Sequence, residues 1–386
     1  MKIRFLLHNV YGKAGGVLSV SLALARDLAR THDVEIVSLF GGGTPVHPLP
    51  PGVPVTSLIG GGASSEGSLL RRRLSRLTTR VVPEGDTRFS QYSLYTDLVL
   101  MRYLRSVRGG AVIAMQPGLN IALARLGTDR YVRVAQDHRP FVTRPRSTIL
   151  AYDKHAGRLD TLLTLTTEDT AHYEKMFNGR ARVQTMPNGT PAYDGPPSTL
   201  TNKVAVAAGR LEPSKGFHML VDAWTEVAGR HPDWQLRIYG EGSQRDLLHD
   251  RIASRELQGK VQLMGYTTQL QREMAAASFG VLSSKAEGYP MVLLEAMGCG
   301  LPLVSTDCPA GGPRDIITPG VDGFLVKNKD TEAMTQGLLT MIEVTDDKRR
   351  RMGEGALVKA RERSQEAIAD RWASLLEELS QRRGLG

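Results

Sequence analysis

The stretch SSKAEGYPMVLLEAMGCGLPLVSTDCPAGGPRDII, Ser283 to Ile317, decides the reading of this 386-residue chain. The apolar run Gly280 to Ser283 predicts a strand ending at a loop that carries Glu287 and Gly288. Pro290 suits the first position of a helix, where its missing N–H costs nothing. Met291 to Leu294 supply the buried part of that helix, Glu295 its middle, and Leu301 to Ser305 a second strand. Strand, helix, strand in this order is a parallel crossover. Glu287 and Glu295, about two helical turns apart, would stand about 12 Å from each other, roughly the reach of a nucleoside diphosphate sugar from hexose to ribose. Between them the helix start offers free N–H groups and a positive dipole end, where a diphosphate can sit. The alternative is a buried crossover with two incidental glutamates. An acid inside MVLLEAM argues for a partner, because a buried carboxylate without one is costly.

Length allows two domains of ordinary size, and 41% apolar residues describe a globular chain. No run of eighteen apolar residues occurs, so no membrane-spanning helix is expected. MKIRFLL turns polar too soon for a signal peptide. Two cysteines, Cys299 and Cys308, suit a reducing cytoplasm. D-x-D, H-E-x-x-H and C-x-x-C are absent, so no metal site is expected. The net charge of +9 is uneven: residues 1–190 hold 25 Lys and Arg against 14 Asp and Glu, residues 191–386 hold 24 against 26. The first half is therefore expected to meet something acidic.

KIRFLL, GKAGG, VLSVSLALARDLAR and DVEIVSLF read as strand, glycine turn, helix and strand, a βαβ unit. Gly12, Gly15 and Gly16 either let backbone approach a ligand at the helix start or serve only a tight turn. Residues 41–68, rich in Gly, Pro and Ser, read as a mobile loop. In LLRRRLSRLTTRVV, Leu70, Leu74, Leu77 and Val81 share one helical face, with Arg71, Arg72, Arg73, Arg76 and Arg80 largely elsewhere. Such a helix can lie on an anionic membrane, grip a polyanion, or pack its leucines on the core. YVRVAQDHRPF ends a strand in a loop where parallel sheets bind ligands, which makes His138 the best placed of nine histidines. Thr167 is the expected cap of the next helix. The Pro/Gly-rich stretch after Met186 marks a domain boundary near 190–201. The strand–helix alternation then restarts. Arg210 and Lys215 bracket the loop after its first strand and form a candidate diphosphate clamp. Residues 346–382 read as a charged helical stretch.

Arg210 and Lys215 in GRLEPSKGF, Glu287 and Glu295 in EGYPMVLLEAMGCGLPLV, and Gly15–Gly16 after the first strand occur together and in order. This set resembles glycosyltransferase family 4, the retaining transferases of GT-B fold. The likeness covers nearly all of the second half. It is fainter in the first, resting there on the opening βαβ unit, His138 and MPNGT at 186–190. DCPAGGPRDII resembles a branch acting on cell-surface polymers and lipid-linked glycans. The resemblance implies an α/β chain of two facing Rossmann-like domains, residues 1–195 and 196–363, with a helix over 364–386 crossing back to the first. It implies a nucleotide-sugar donor, UDP by analogy, as co-substrate without further cofactor, and a glycan, lipid-linked or anionic polymer acceptor. Residue by residue, Arg210 and Lys215 would hold the diphosphate and Glu295 the ribose. Glu287 would meet the hexose, with backbone from Gly288, Tyr289 and Met291 close by. Gly15 and Gly16 would approach the diphosphate, and His138 would line the sugar pocket. Pro290 departs from the glycine common there, which stiffens the loop.

Without D-x-D, the leaving diphosphate must be stabilised by Arg210, Lys215 and helix amides. No residue is assigned as general base. The rivals are a nucleotide-sugar epimerase, a phosphorylase (for which no pyridoxal lysine is evident) and a catalytically silent nucleotide-sugar binder. A Rossmann dehydrogenase would need a glycine fingerprint that is missing. No nucleic-acid partner is expected. A cytoplasmic location follows, with peripheral contact at the inner membrane face if the basic helix docks there.

Overall fold

The computed structural model describes residues 1–12, 15–60 and 69–385. The chain forms two compact units, residues 1–187 with 368–386 and residues 188–367. The first holds seven parallel strands: β1 (Lys2–Asn9), β2 (Asp33–Phe40), β3 (Val55–Ile59), β4 (Ala111–Ala114), β5 (Val132–Asp137), β6 (Thr161–Thr164) and β7 (Val183–Thr185), in the order β3-β2-β1-β4-β5-β6-β7. Alternate residues of its strands enter two cores: Ile3, Phe5 and Leu7 lie in one, Leu6 in the other. Burial on both faces is what a parallel sheet covered by crossover helices requires.

The second unit holds six parallel strands: β8 (Val204–Ala208), β9 (Gln235–Tyr239), β10 (Val261–Gly265), β11 (Phe279–Leu282), β12 (Leu303–Asp307) and β13 (Gly323–Lys327), in the order β10-β9-β8-β11-β12-β13. Both sheets reverse direction after their first strand, between β1 and β4 and between β8 and β11. Such switch points leave a crevice at the strand carboxyl ends where ligands bind. No helix among the described residues is long and apolar enough to cross a membrane.

Several local expectations change. Within 41–68 the structure contains β3, an edge strand following Pro54, a place where proline is tolerated. Residues 61–68 of that expected loop lie outside the described residues. The basic helix runs only over Leu69–Ser75 and buries nothing; Leu69 is 85% and Leu70 63% exposed. Asp97 explains its early end. Its carboxylate takes the Thr79 hydroxyl at 2.6 Å and the Arg80 N–H at 2.7 Å, while Thr79 Oγ1 accepts from the Val81 and Val82 N–H groups. Those donors are spent outside a helix. The cap of Thr167–Phe177 is Thr166, accepting from Asp169 N, one residue earlier than expected. Pro290 caps its helix, Met291–Gly298, and does not open it.

The charged stretch at the end is two helices, Asp346–Glu362 and Gln365–Arg383. They break where the Arg363 carbonyl turns to accept the Thr190 N–H at 2.7 Å. That bond, and Ser198 N–H to the Cys299 carbonyl, tie residues 188–198 to the second unit. The last helix returns to the first unit, placing Ile368, Trp372, Leu376 and Leu379 in the core with Ile3 and Phe5.

Candidate active site

In the second unit, Arg210 leaves β8 exposed, with no acceptor or ion-pair partner among the described residues. Lys215 ends a single 3-10 turn, and Gly216 behind it has φ +67. A Cβ there would come within 2.1 Å of the Ser283 carbonyl oxygen. Glycine thus lets this loop close onto the end of β11, where Ser283 Oγ donates to the Lys215 carbonyl at 2.9 Å. The closure brings Lys215 Nζ to Glu287 Oε1 at 2.5 Å, and Ser284 Oγ donates to the same oxygen at 2.6 Å. The two side chains are 23% and 14% exposed, so this pair is screened less than a surface one. Two of the three lysine donors stay available for an anion.

The Glu287 loop is held from the far side by DCPAGG. Glu287 N–H donates to the Pro309 carbonyl at 2.8 Å, and Ala310 N–H returns to the Glu287 carbonyl at 3.1 Å. A Cβ at Gly312 would reach the Gly288 carbonyl oxygen at 2.3 Å. Gly288 N–H has no acceptor among the described residues. Tyr289 is buried, its hydroxyl accepting from Arg363 Nη1 at 2.9 Å. Met291 opens the helix and its sulfur meets Asn188 Nδ2 at 3.5 Å. Glu295, in the second turn, is half-buried and its carboxylate has no hydrogen-bond or ion-pair partner among the described residues. Burial pushes its carboxyl up to about 7. It lines a cleft of 690 Å³ with Pro191–Gly195 and Thr268–Arg272. Cys299 and Cys308 are buried thiols pushed up to about 12 by burial, and are inert.

In the first unit, a 230 Å³ cavity sits at the strand carboxyl ends, lined among others by Gly15, Gly16, Asp86, Arg88, Tyr92, His138 and Arg144. Gly15 has an extended backbone, φ −169, and a Cβ on Gly15 or Gly16 would meet nothing within 4 Å. Neither backbone angle nor packing demands glycine there, which favours ligand approach over a tight turn. Burial, then the Arg144 charge, lowers His138 to about 4, so its ring is neutral at pH 7; its Nε2 is sealed and unpartnered.

Sequence reasoning missed the frame around that histidine. Arg144 forms a buried ion pair with Asp137, which also accepts from the Tyr173 hydroxyl at 2.6 Å. Asp86 accepts from the Gly118 N–H at 2.8 Å and from the Arg88 N–H at 2.7 Å, pinning the 85–92 loop to a helix start. His8, lowered to about 3 by burial and then by Arg88, lies at the same sheet edge against Tyr92. The strand end HNVYG was a signal for His8; Asp86 and Arg88, in a polar turn, gave none.

Two doubly wound units of this kind, with a basic pair and two acids around the second sheet's switch point, define a GT-B α/β protein. Residues 195–359 match the family model for glycosyl transferases group 1. An exopolysaccharide phosphotransferase of Streptomyces coelicolor is 32% identical over 406 aligned residues, covering 99% of this chain and 41% of that protein. An uncharacterized glycosyltransferase of Haemophilus influenzae is 24% identical, covering 97% of this chain and 99% of that one. A crystal structure of a Staphylococcus aureus TarM mutant with fondaparinux, alpha-GlcNAc-glycerol and UDP has a TM-score of 0.73 at 15% identity, covering 97% and 99% of the two chains. That last likeness is one of fold. The chain thus spans less than half of the Streptomyces relative and nearly all of the Haemophilus one. Together the matches support a GT-B glycosyltransferase.

Proposed function

We propose that this chain is a retaining, metal-independent hexosyltransferase of family 4 type, using a nucleotide-sugar donor, UDP-linked by analogy with the TarM complex. The observation that carries this reading is the gathering of Lys215 and Glu287 at the β8/β11 switch point, with unpartnered Arg210 and Glu295 at its margins. Arg210 and Lys215 bind the diphosphate as charge builds on it. Glu295 accepts from the ribose hydroxyls beside the 690 Å³ cleft, which takes the base. Glu287 and the Gly288 N–H hold the hexose.

The bond from the anomeric carbon to the β-phosphate oxygen breaks, the acceptor oxygen bonds to that carbon on the same face, and the acceptor proton passes to the leaving diphosphate. Neutral His138 orients hydroxyls and carries no proton away. The acceptor, a glycan, lipid-linked or anionic polymer, binds the first unit's cavity, where the Arg88 guanidinium has no acceptor among the described residues. Exposed Leu69, Leu70 and Leu77 beside Arg73 and Arg76 rest on an anionic membrane at the cytoplasmic face.

The test is a product assay with UDP-hexoses and phosphate-bearing glycan acceptors. Sugar transfer releases UDP. Transfer of the sugar phosphate in place of the sugar would release UMP instead and displace the reading. Epimerisation would return a nucleotide sugar, and a silent binder would release nothing.

A further inference from the structure

The first unit has a second concave surface at the other end of its sheet. The connections that enter β5 and β6 enclose a cleft of 560 Å³ there. His138 follows β5, whereas this cleft precedes it, and six residues of strand span about 20 Å. Five arginines line it: Arg105, Arg125, Arg133, Arg158 and Arg383, with Asp129 the acid among them. Asp160 joins from behind, paired with Arg133 and Arg383. Two carboxylates leave three guanidinium charges unbalanced. Burial, then Arg125, Lys154 and Arg158, lowers the pKa of neighbouring His155, so that ring adds no charge at neutral pH.

Part of this charge serves the fold. Arg125 Nη1 donates to the Arg80 and Val81 carbonyls, and Arg158 Nη1 to the Arg125 carbonyl at 2.8 Å. Cations also favour helix carboxyl ends. That account leaves two facts unexplained. Arg133 is 4% exposed; its Nη2 pairs with Asp129 at 2.9 Å, but its Nε has no hydrogen-bond acceptor, standing 3.6 Å from Asp160. Arg105 has no acceptor among the described residues. Asp129 and Asp160 are both shared between Arg133 and Arg383, so the remaining like charges are clustered without a counter-charge of their own, which is costly.

We propose that this cleft binds a polyvalent phosphate anion. Guanidinium forks match phosphate oxygens two at a time, and several forks around one cleft fit a group of charge −2 or more better than a lone carboxylate. The phosphate can be free diphosphate or the phosphodiester backbone of a polymer.

Calorimetry on the full chain with inorganic pyrophosphate, and separately with a glycerol-phosphate hexamer, tests this. With Arg210 and Lys215 forming the donor clamp, the wild type should take up two pyrophosphates. Arg105→Gln/Arg158→Gln should take up one, and Arg210→Ala/Lys215→Ala should retain the other. Arg105→Gln alone breaks no bond of the fold. It should melt like wild type and bind the arginine-cleft anion about tenfold more weakly, the loss of one charge-assisted contact. Equal affinity and stoichiometry in wild type and both Arg105 variants would overturn the proposal. Two equivalents persisting in Arg210→Ala/Lys215→Ala would instead sink the donor clamp and leave this cleft standing. Tighter binding of the hexamer than of pyrophosphate at the Arg105-sensitive site assigns it to a polymer, and the reverse to free diphosphate.

Discussion

Replacing Glu295 with glutamine should stabilise the second unit above neutral pH while weakening its hold on a nucleotide. Burial raises the folded-state value from 4.5 to about 7, so the unfolded chain ionises first. Below 4.5 the acid is neutral in both states and exerts no penalty. Between 4.5 and about 7 the unfolded chain is ionised while the folded acid still holds its proton, and stability falls; above 7 the folded state carries a poorly solvated charge and the full penalty stands. The interval corresponds to roughly 3 kcal/mol at about 1.4 kcal/mol per pH unit. Residual solvent contact of this half-buried group and desolvation of the new amide reduce the expected gain to about 1–3 kcal/mol. Urea unfolding followed by tryptophan fluorescence should thus show Glu295→Gln more stable at pH 8 and equal to wild type at pH 4; Trp224 and Trp234 report on this unit. Nucleotide affinity should fall about tenfold or more, the worth of hydrogen bonds to a charged acceptor. In wild type that affinity should rise between pH 6 and 8, a dependence the variant lacks. A variant no more stable at pH 8 would show that burial does not strain this carboxyl. Unchanged nucleotide binding would remove Glu295 from the ribose.

Lys215→Ala should cut transfer by about a hundredfold or more, and retention of near-normal turnover would exclude the clamp. Glu287→Gln should weaken a UDP-sugar while sparing UDP, whereas Glu295→Gln should weaken both, since both carry the ribose; titrations giving both variants one pattern would refute the division of labour. Transfer should persist in excess chelator, whereas loss that magnesium or manganese restores would overturn the metal-free mechanism. Sedimentation with anionic vesicles should weaken for Leu69→Ser/Leu70→Ser and at high salt; negligible binding by wild type would remove the membrane contact.

Much of the fold was legible because parallel strands buried on both faces write themselves as short apolar runs: KIRFLL, KVAVAAG and LPLVST all fall on strands. The second-unit residues were legible too, since Arg210, Lys215, Glu287 and Glu295 are spaced by local structure. What sequence could not give was long-range. Strand order sets the switch points, and no local pattern carries it. The Lys215–Glu287 pair joins two loops brought together by Gly216, so a cation read as a phosphate ligand and an acid read as a sugar ligand turned out to be neighbours. Leu70, Leu74 and Leu77 kept helical spacing, yet Asp97, distant in sequence, captured the Arg80 N–H and ended the helix. The +9 charge was visible, but its concentration around Arg133 was not.

The return of the last helix has a consequence for synthesis on the ribosome. Trp372 is 1% exposed, wedged among residues of the opening strands. The first unit is therefore written in two pieces, and its core lacks a wall until the whole second unit has been translated. At about 5–20 residues per second, the roughly 180 intervening residues take tens of seconds. During that time Ile3 and Phe5 have an uncovered apolar face that a nascent-chain chaperone can occupy. The second unit, continuous in sequence, can close first although it is made later.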